Sequence, residues 1–288
     1  MTYIQAIVLG LIQGVTELFP VSSLGHSVVL PGLLGWQMNE RDPIFLTFLV
    51  ATHTATAAVL FFYFLKDWLL IFRGMWSSIT GGEAARHDPY GRLGWLLVVA
   101  TIPAGICGLL FEHLLKNLFA APQIVGVMLV LNGVLLWCAD IMRKKRGGGT
   151  EINAAGSDTR IAGCSWIQAI NVGMLQVLAL VPGFSRTGST ITGGLLAGLS
   201  YEDAARFSFL LATPIIGAAS ALKIPELLTQ RAETVYIGPA VAGSLVAGLG
   251  AYVSIRFLLR YFETKTLRPF AVYCIAAGTI VSLLLLRG

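Results

Sequence analysis

Residues 167–190, IQAINVGMLQVLALVPGFSRTGST, decide how the rest of the chain is read. An apolar run from Ile170 to Val181 stops at Pro182-Gly183. Ser185, Arg186, Thr187, Gly188, Ser189 and Thr190 follow before apolar residues resume at Ile191. A turn rich in glycine and hydroxyls between two apolar arms can aim several backbone N–H groups at one point, as phosphate sites do. Arg186 adds a planar fork of donors suited to bidentate phosphate contact. An Arg embedded in membrane-like sequence costs roughly 2.5–3.5 kcal/mol on insertion scales, so it is expected to face a site or a wet cavity.

The stretch has a twin. IQAIVLGLIQGVTELFPVSSLGHS begins at Ile4, and an offset of 163 residues lays Ile4-Gln5-Ala6-Ile7 on Ile167-Gln168-Ala169-Ile170. The same offset places Gly10 on Gly173, Gln13 on Gln176, Ser22 on Ser185 and Gly25 on Gly188. The polar cargo differs: Gln13, Glu17, Ser22, Ser23 and His26 stand in the first copy, and the arginine in the second. One copy carries acid/base and metal-ligand types while the other carries the anion binder. The repeat runs on, because Phe48-Leu49-Val50-Ala51-Thr52 resembles Phe209-Leu210-Leu211-Ala212-Thr213.

Around these two stretches the chain reads as membrane protein. Of its 288 residues 56% are hydrophobic and 12% charged, which excludes an ordinary soluble domain. The N-terminus has no basic n-region or small-residue cleavage site, so no removable signal peptide is expected. Cys107, Cys138, Cys164 and Cys274 are scattered, with no C-x-x-C pair, and read as packing residues. Net charge +5 is read as cytoplasmic loops rather than nucleic-acid binding. Spans are expected over 44–65, 93–111, 124–139, 207–222, 237–255 and 270–286, with loops between them, 66–92 among these. The expected organisation is a first repeat over 1–140, a cytoplasmic linker over 141–165 and a second repeat over 166–288, all one membrane domain.

Charge sets the expected topology. If each motif is a re-entrant hairpin that enters and leaves by one face, loops 66–92, 141–160 and 256–268 share a face and hold 13 Lys and Arg. The other face keeps five: Arg41, Lys116, Lys223, Arg231 and Arg287. That split satisfies the positive-inside rule. Three spans per half is an odd number, so the halves are expected to be inverted and the two turns to meet at the midplane. The predicted fold is an all-α polytopic membrane protein of two inverted repeats, each a re-entrant helical hairpin plus three transmembrane helices.

The expected chemistry follows from the residue types at the meeting point. Gln13 and Glu17, four apart, share a helix face, and Pro20 puts Glu17 near the end of its arm. Carboxylate and amide oxygens suit a hard divalent cation, Mg²⁺ or Ca²⁺, better than zinc. Ser22 or Ser23 can cap the next arm, and His26 lies about one turn inside it. His53, in an apolar span, either lines the site or bonds between helices, whereas His87 and His113 read as loop residues. Metal ligand, hydroxyl, base and phosphate cradle together imply phosphoryl transfer.

The two motifs, Gln13-Gly-Val-Thr-Glu17-Leu-Phe-Pro-Val-Ser-Ser-Leu-Gly-His26 and Pro182-Gly-Phe-Ser-Arg-Thr-Gly-Ser-Thr190, resemble those of the undecaprenyl-diphosphatase family, also called bacitracin-resistance proteins. The resemblance covers essentially the whole chain. It implies hydrolysis of undecaprenyl diphosphate to the monophosphate carrier of bacterial cell-wall synthesis, a divalent-cation requirement, and a site opening to the outer face of the plasma membrane. The family's acidic motif falls on Gln13 and Glu17; many members have Glu at the first position, and Gln here removes one negative charge. Its serine and histidine correspond to Ser23 and His26, and its arginine to Arg186. Either Ser23 or His26 can be the nucleophile on this reading. Arg186 and the N–H groups of Ser185 to Thr190 are expected to hold the diphosphate, with Ser22 beside them. The expected partners are the polyprenyl diphosphate lipid and the bilayer, with a homodimer as a candidate assembly. The competing reading is a polyprenyl-phosphate flippase, since inverted repeats and a midplane anion site also build transporters. It has use for Arg186 but little for Glu17, Ser23 and His26 together.

Overall fold

The structure, a computed structural model, describes residues 1–36, 38, 43–81, 88–111, 115, 122–145, 156–229 and 237–286. Arg41, His87, His113, Lys116, Arg231 and Arg287 lie outside the described residues.

Both hairpins start on the same device. Thr2 accepts the Gln5 N–H while the Gln5 side chain accepts the Thr2 N–H, a capping box that opens α1 (Tyr3–Thr16). Ser165 and Gln168, one repeat offset later, do the same for α8 (Trp166–Val177). The return arms are capped alike: Ser22 opens α2 (Ser23–Leu33) through the Gly25 N–H, and Ser185 opens α9 (Arg186–Leu196) through the Gly188 N–H. The repeat is therefore a repeat of caps as well as of letters.

The described chain otherwise consists of α3 (Pro43–Tyr63), α4 (Leu65–Thr80), α5 (Pro89–Leu110), α6 (Pro122–Lys145), α7 (Ser157–Ala162), α10 (Tyr201–Thr229), α11 (Ile237–Phe262) and α12 (Arg268–Leu285), with one 3₁₀ turn at Leu178–Leu180. Among the described residues six helices are long and apolar enough to cross a membrane, and they fall on the six expected spans. Their ends lie beyond the apolar runs for local reasons. Asp88 caps α5 with Pro89 in its first turn, and Arg143, Lys144 and Lys145 face the negative end of α6.

The segment 66–92, expected as a loop, is a helix for most of its length. Trp68 and Ile71 recur at helical spacing, are buried, and pack α4 on α5. The charges Lys66, Asp67 and Arg73 obscured that periodicity in the sequence. Parts of 141–165 are likewise ordered. Arg160 makes a bidentate pair with Asp203 at 2.8 Å, and Arg206 pairs with Asp158 at 2.6 Å, tying α7 to α10.

Packing crosses between the halves. The first hairpin lies along α11 and the second along α5, while α6 pairs with α12 and α3 with α10. Gly10 and Gly14 allow this closeness, since a Cβ on either would overlap the backbone carbonyl of Gly243 or Ala247. Each hairpin is thus seated in a groove supplied by the opposite half. Large apolar side chains such as Leu245 and Leu249 point outward, as a lipid-facing surface requires.

Candidate active site

The two hairpin turns meet, and Asn132 of α6 fastens them. Its Nδ2 donates to the Pro20 carbonyl at 3.1 Å and its Oδ1 accepts the Ser185 N–H at 3.1 Å. The Thr187 hydroxyl donates to the Glu17 carbonyl at 2.9 Å, a second tie between the halves. The turn geometry is specialised at both ends. Gly183 has φ +103°, and a Cβ there would strike Met128 and the Val125 carbonyl. Ser22 has φ 68°, the only positive φ among described non-glycine residues, a conformation that costs about 1–3 kcal/mol and persists only where the surroundings enforce it.

Glu17 is the hub. It caps the end of α1, is 6% exposed, and receives donors on both oxygens. Gln13 Nε2 at 3.0 Å, Ser23 Oγ at 2.6 Å and His53 Nε2 at 3.3 Å converge on Oε2. Arg186 Nη2 reaches Oε1 at 3.0 Å. His53 therefore lines the site. Its Nδ1 faces the Leu49 carbonyl at 2.8 Å, so both ring nitrogens face oxygen acceptors, an arrangement that a doubly protonated ring satisfies. One carboxylate then stands against the Arg186 guanidinium and the His53 ring, with Gln13 and Ser23 as further donors.

Two polar atoms in this cluster are left over. Arg186 Nε and Gln13 Oε1 are buried and have no hydrogen-bond partner. An unpaired buried donor or acceptor costs about 1–3 kcal/mol, so each marks a place where a further group is expected to bind.

Ser23 and His26 lie on the first two turns of α2, three residues apart and so on one face. The Ser23 hydroxyl is turned to Glu17. His26 Nδ1 is 2.6 Å from the Ser22 carbonyl and Nε2 is 2.7 Å from the Tyr273 hydroxyl of α12. The strained Ser22 thus presents its carbonyl to the His26 ring.

The glycine- and hydroxyl-rich turn is more self-contained than its letters suggest. Ser185 N–H goes to Asn132, Gly188 N–H to the Ser185 hydroxyl and Ser189 N–H to the Ser185 carbonyl. Thr190 donates back into its own helix and meets the Ser208 hydroxyl at 2.5 Å. The Ser189 hydroxyl is buried with no partner. That leaves the N–H groups of Arg186 and Thr187, at the start of α9, without an intrahelical acceptor.

Sequence reasoning missed Asn132, Ser208 and Tyr273. Asn132 had a signal, an amide in an otherwise apolar span, which is costly unless used. Tyr273 had none, since an aromatic residue in a span reads as packing.

Residues 6–280 match the family of bacitracin resistance protein BacA. The chain belongs to that family. It is 44% identical to an undecaprenyl-diphosphatase of Mycolicibacterium paratuberculosis, covering 96% of this chain and 95% of the relative. It is 45% identical to undecaprenyl-diphosphatase 2 of Chromobacterium violaceum, covering 97% and 98%, and 43% identical to an undecaprenyl-diphosphatase of Granulibacter bethesdensis, covering 96% and 95%. The matched residues 6–280 take in every residue of the site, from Gln13 to Tyr273.

Proposed function

We propose that this chain hydrolyses undecaprenyl diphosphate to undecaprenyl phosphate and inorganic phosphate, recycling the lipid carrier of cell-wall synthesis at the bacterial plasma membrane. The observation that carries the proposal is Arg186, partly buried at the start of α9, paired with Glu17 through Nη2 and with its Nε donor buried and unpaired. The diphosphate accepts from Arg186 Nε and from the N–H groups of Arg186 and Thr187, a narrower cradle than the whole turn 185–190. The polyprenyl tail stays in lipid along the apolar outer faces, so no enclosed pocket is required. The cross-seating of each hairpin in the opposite half supports an inverted-repeat arrangement with the site near the midplane.

Ser23 attacks the terminal phosphorus. Glu17 orients its hydroxyl but is a poor base, because four donors already stabilise the carboxylate charge. His26 supplies the base: Nδ1 faces a carbonyl and so carries the ring proton, which leaves the Nε2 lone pair to accept one. In reacting, the Ser23 hydroxyl turns from Glu17 to His26 Nε2, the anhydride bond to the terminal phosphorus breaks, and undecaprenyl phosphate leaves. Water then attacks the phosphoserine, giving inorganic phosphate. The second route is direct attack by His26 Nε2, which the same tautomer permits. Arg186 neutralises the charge that develops on the phosphoryl oxygens.

A divalent cation fits the residues present. Gln13 Oε1 is an orphaned amide oxygen next to the Glu17 carboxylate, and diphosphate oxygens would complete a hard-ion set. Among the described residues no group of three or more His, Cys, Asp or Glu could hold a metal, so a cation would have Gln13 Oε1 and the Glu17 carboxylate as its protein ligands. It would supply further charge neutralisation on the phosphates. A flippase would need Arg186 but would have no use for a serine hydroxyl held at 2.6 Å from a carboxylate.

The test is a comparison of Arg186 variants in detergent. Arg186→Ala should lose most phosphate release, and Arg186→Lys should recover only part, because a point charge lacks the fork that reaches Glu17 and phosphate together. Full activity in Arg186→Ala would end the assignment.

A further inference from the structure

Tyr273 stands at His26 yet has no part in the reaction as derived above. Its ring is stacked on the imidazole, with centroids 5.8 Å apart and planes 9° from parallel, and its hydroxyl is 2.7 Å from Nε2. Because Nδ1 donates to the Ser22 carbonyl, Nε2 of the neutral ring is an acceptor, and the tyrosine hydroxyl must be the donor to it. The lone pair that accepts this proton cannot at the same moment take one from Ser23 or attack phosphorus.

We propose that Tyr273 is a positioning residue that latches His26, its hydroxyl closing Nε2 until the arriving diphosphate draws that hydroxyl away. The inference rests on the reading of His26 as the reacting imidazole. Tautomer and ring orientation are already fixed by the Ser22 carbonyl, so the hydroxyl is not needed for either. Tyr273 comes from α12, a different part of the chain from the hairpin it touches, and it is 46% exposed, so it can leave without emptying a packed core. The hydroxyl that leaves Nε2 keeps its proton and can donate it to a phosphate oxygen. The latch therefore opens most readily when an anion is there to receive it, which couples an active base to a loaded site.

Tyr273→Phe keeps the stacked ring and removes only the hydroxyl. With phosphate release measured in detergent, kcat/KM should rise about two- to tenfold, the worth of one net hydrogen bond that no longer has to be broken. In a His26→Ala background the same substitution should change nothing, because there is no Nε2 to release. A second readout is independent of turnover. Diethyl pyrocarbonate attacks the unprotonated imidazole nitrogen, so carbethoxylation of His26, followed by peptide mass spectrometry, should be several-fold faster in Tyr273→Phe, with His87 and His113 as the unchanged references. Should Tyr273→Phe fold poorly, Tyr273→Leu must give the same gain in His26 labelling if the hydroxyl is what matters. A fall in kcat/KM in Tyr273→Phe, or unchanged His26 labelling in both variants, overturns the latch. Wild-type turnover in His26→Ala would instead remove the reading on which it rests.

Discussion

Gln13→Glu converts a donor into a charge at the most crowded point of the site. Gln13 Nε2 lies 3.0 Å from Glu17 Oε2, and both side chains are buried. Two carboxylates at roughly 3 Å repel by about 5.5 kcal/mol at an effective dielectric of about 20. A cheaper escape exists. Protonating one carboxyl at pH 7 costs about 3.7 kcal/mol from a reference pKa of about 4.3, and the protonated acid can donate to Glu17 as the amide did. The lower figure sets the cost, so the variant should take up a proton rather than bear the repulsion. By that arithmetic the penalty falls to about 1 kcal/mol at pH 5. A divalent cation held between the two carboxylates offers the other escape. Thermal unfolding in detergent with a chelator at pH 7 should show a midpoint roughly 7–15 °C below wild type, using about 2–4 °C per kcal/mol. The gap should narrow at pH 5 and narrow again at pH 7 with millimolar Mg²⁺ or Ca²⁺, while activity becomes more dependent on the ion. An unchanged midpoint in chelator at pH 7 would refute the placement of Gln13 against Glu17.

Further outcomes follow from the same contacts. Glu17→Gln strips the countercharge from Arg186 and His53 and should lower phosphate release far more than Gln13→Ala; equal losses would deny Glu17 its place as hub. Asn132→Leu leaves the Ser185 N–H unpaired, at about 1–3 kcal/mol, and the Pro20 carbonyl with only the Cys274 thiol at 3.7 Å. Its midpoint should fall, and its KM should rise as the two turns lose register; an unaltered melting curve would show that the clamp is idle. In a cysteine-free background, Lys145→Cys and Lys265→Cys should be shielded from an impermeant thiol reagent in intact cells, and Lys223→Cys should react. Labelling of Lys145→Cys and Lys223→Cys from the same side would contradict the inverted topology.

The chain showed its architecture early because membrane folding leaves few choices. Six apolar runs could only be helices, and the 163-residue offset announced two copies of one unit. Glu17 and Arg186 were legible for the related reason that buried charge between apolar arms is expensive unless used, and the structure pairs them at 3.0 Å. What the letters hid was partnership across the chain. Nothing in the spacing says that Ser23 turns to Glu17 and not to His26, or that Tyr273, 247 residues away, reaches His26. The glycine- and hydroxyl-rich turn misled in the other direction, because side-chain oxygens that can cradle a phosphate can equally satisfy backbone N–H groups nearby. In α4 the charges masked an apolar stripe that only packing on α5 reveals.

On the proposed function, the cluster around Glu17 breaks a phosphoric anhydride rather than carrying a lipid across the membrane. Purified protein in detergent, given undecaprenyl diphosphate and a divalent cation, tests it most directly, since detergent leaves no second side to transport to. Release of one inorganic phosphate per lipid, abolished by Glu17→Gln and strongly reduced by Arg186→Ala, is the predicted result. Binding of the lipid with no phosphate released in Mg²⁺, Ca²⁺ or Mn²⁺ would contradict it.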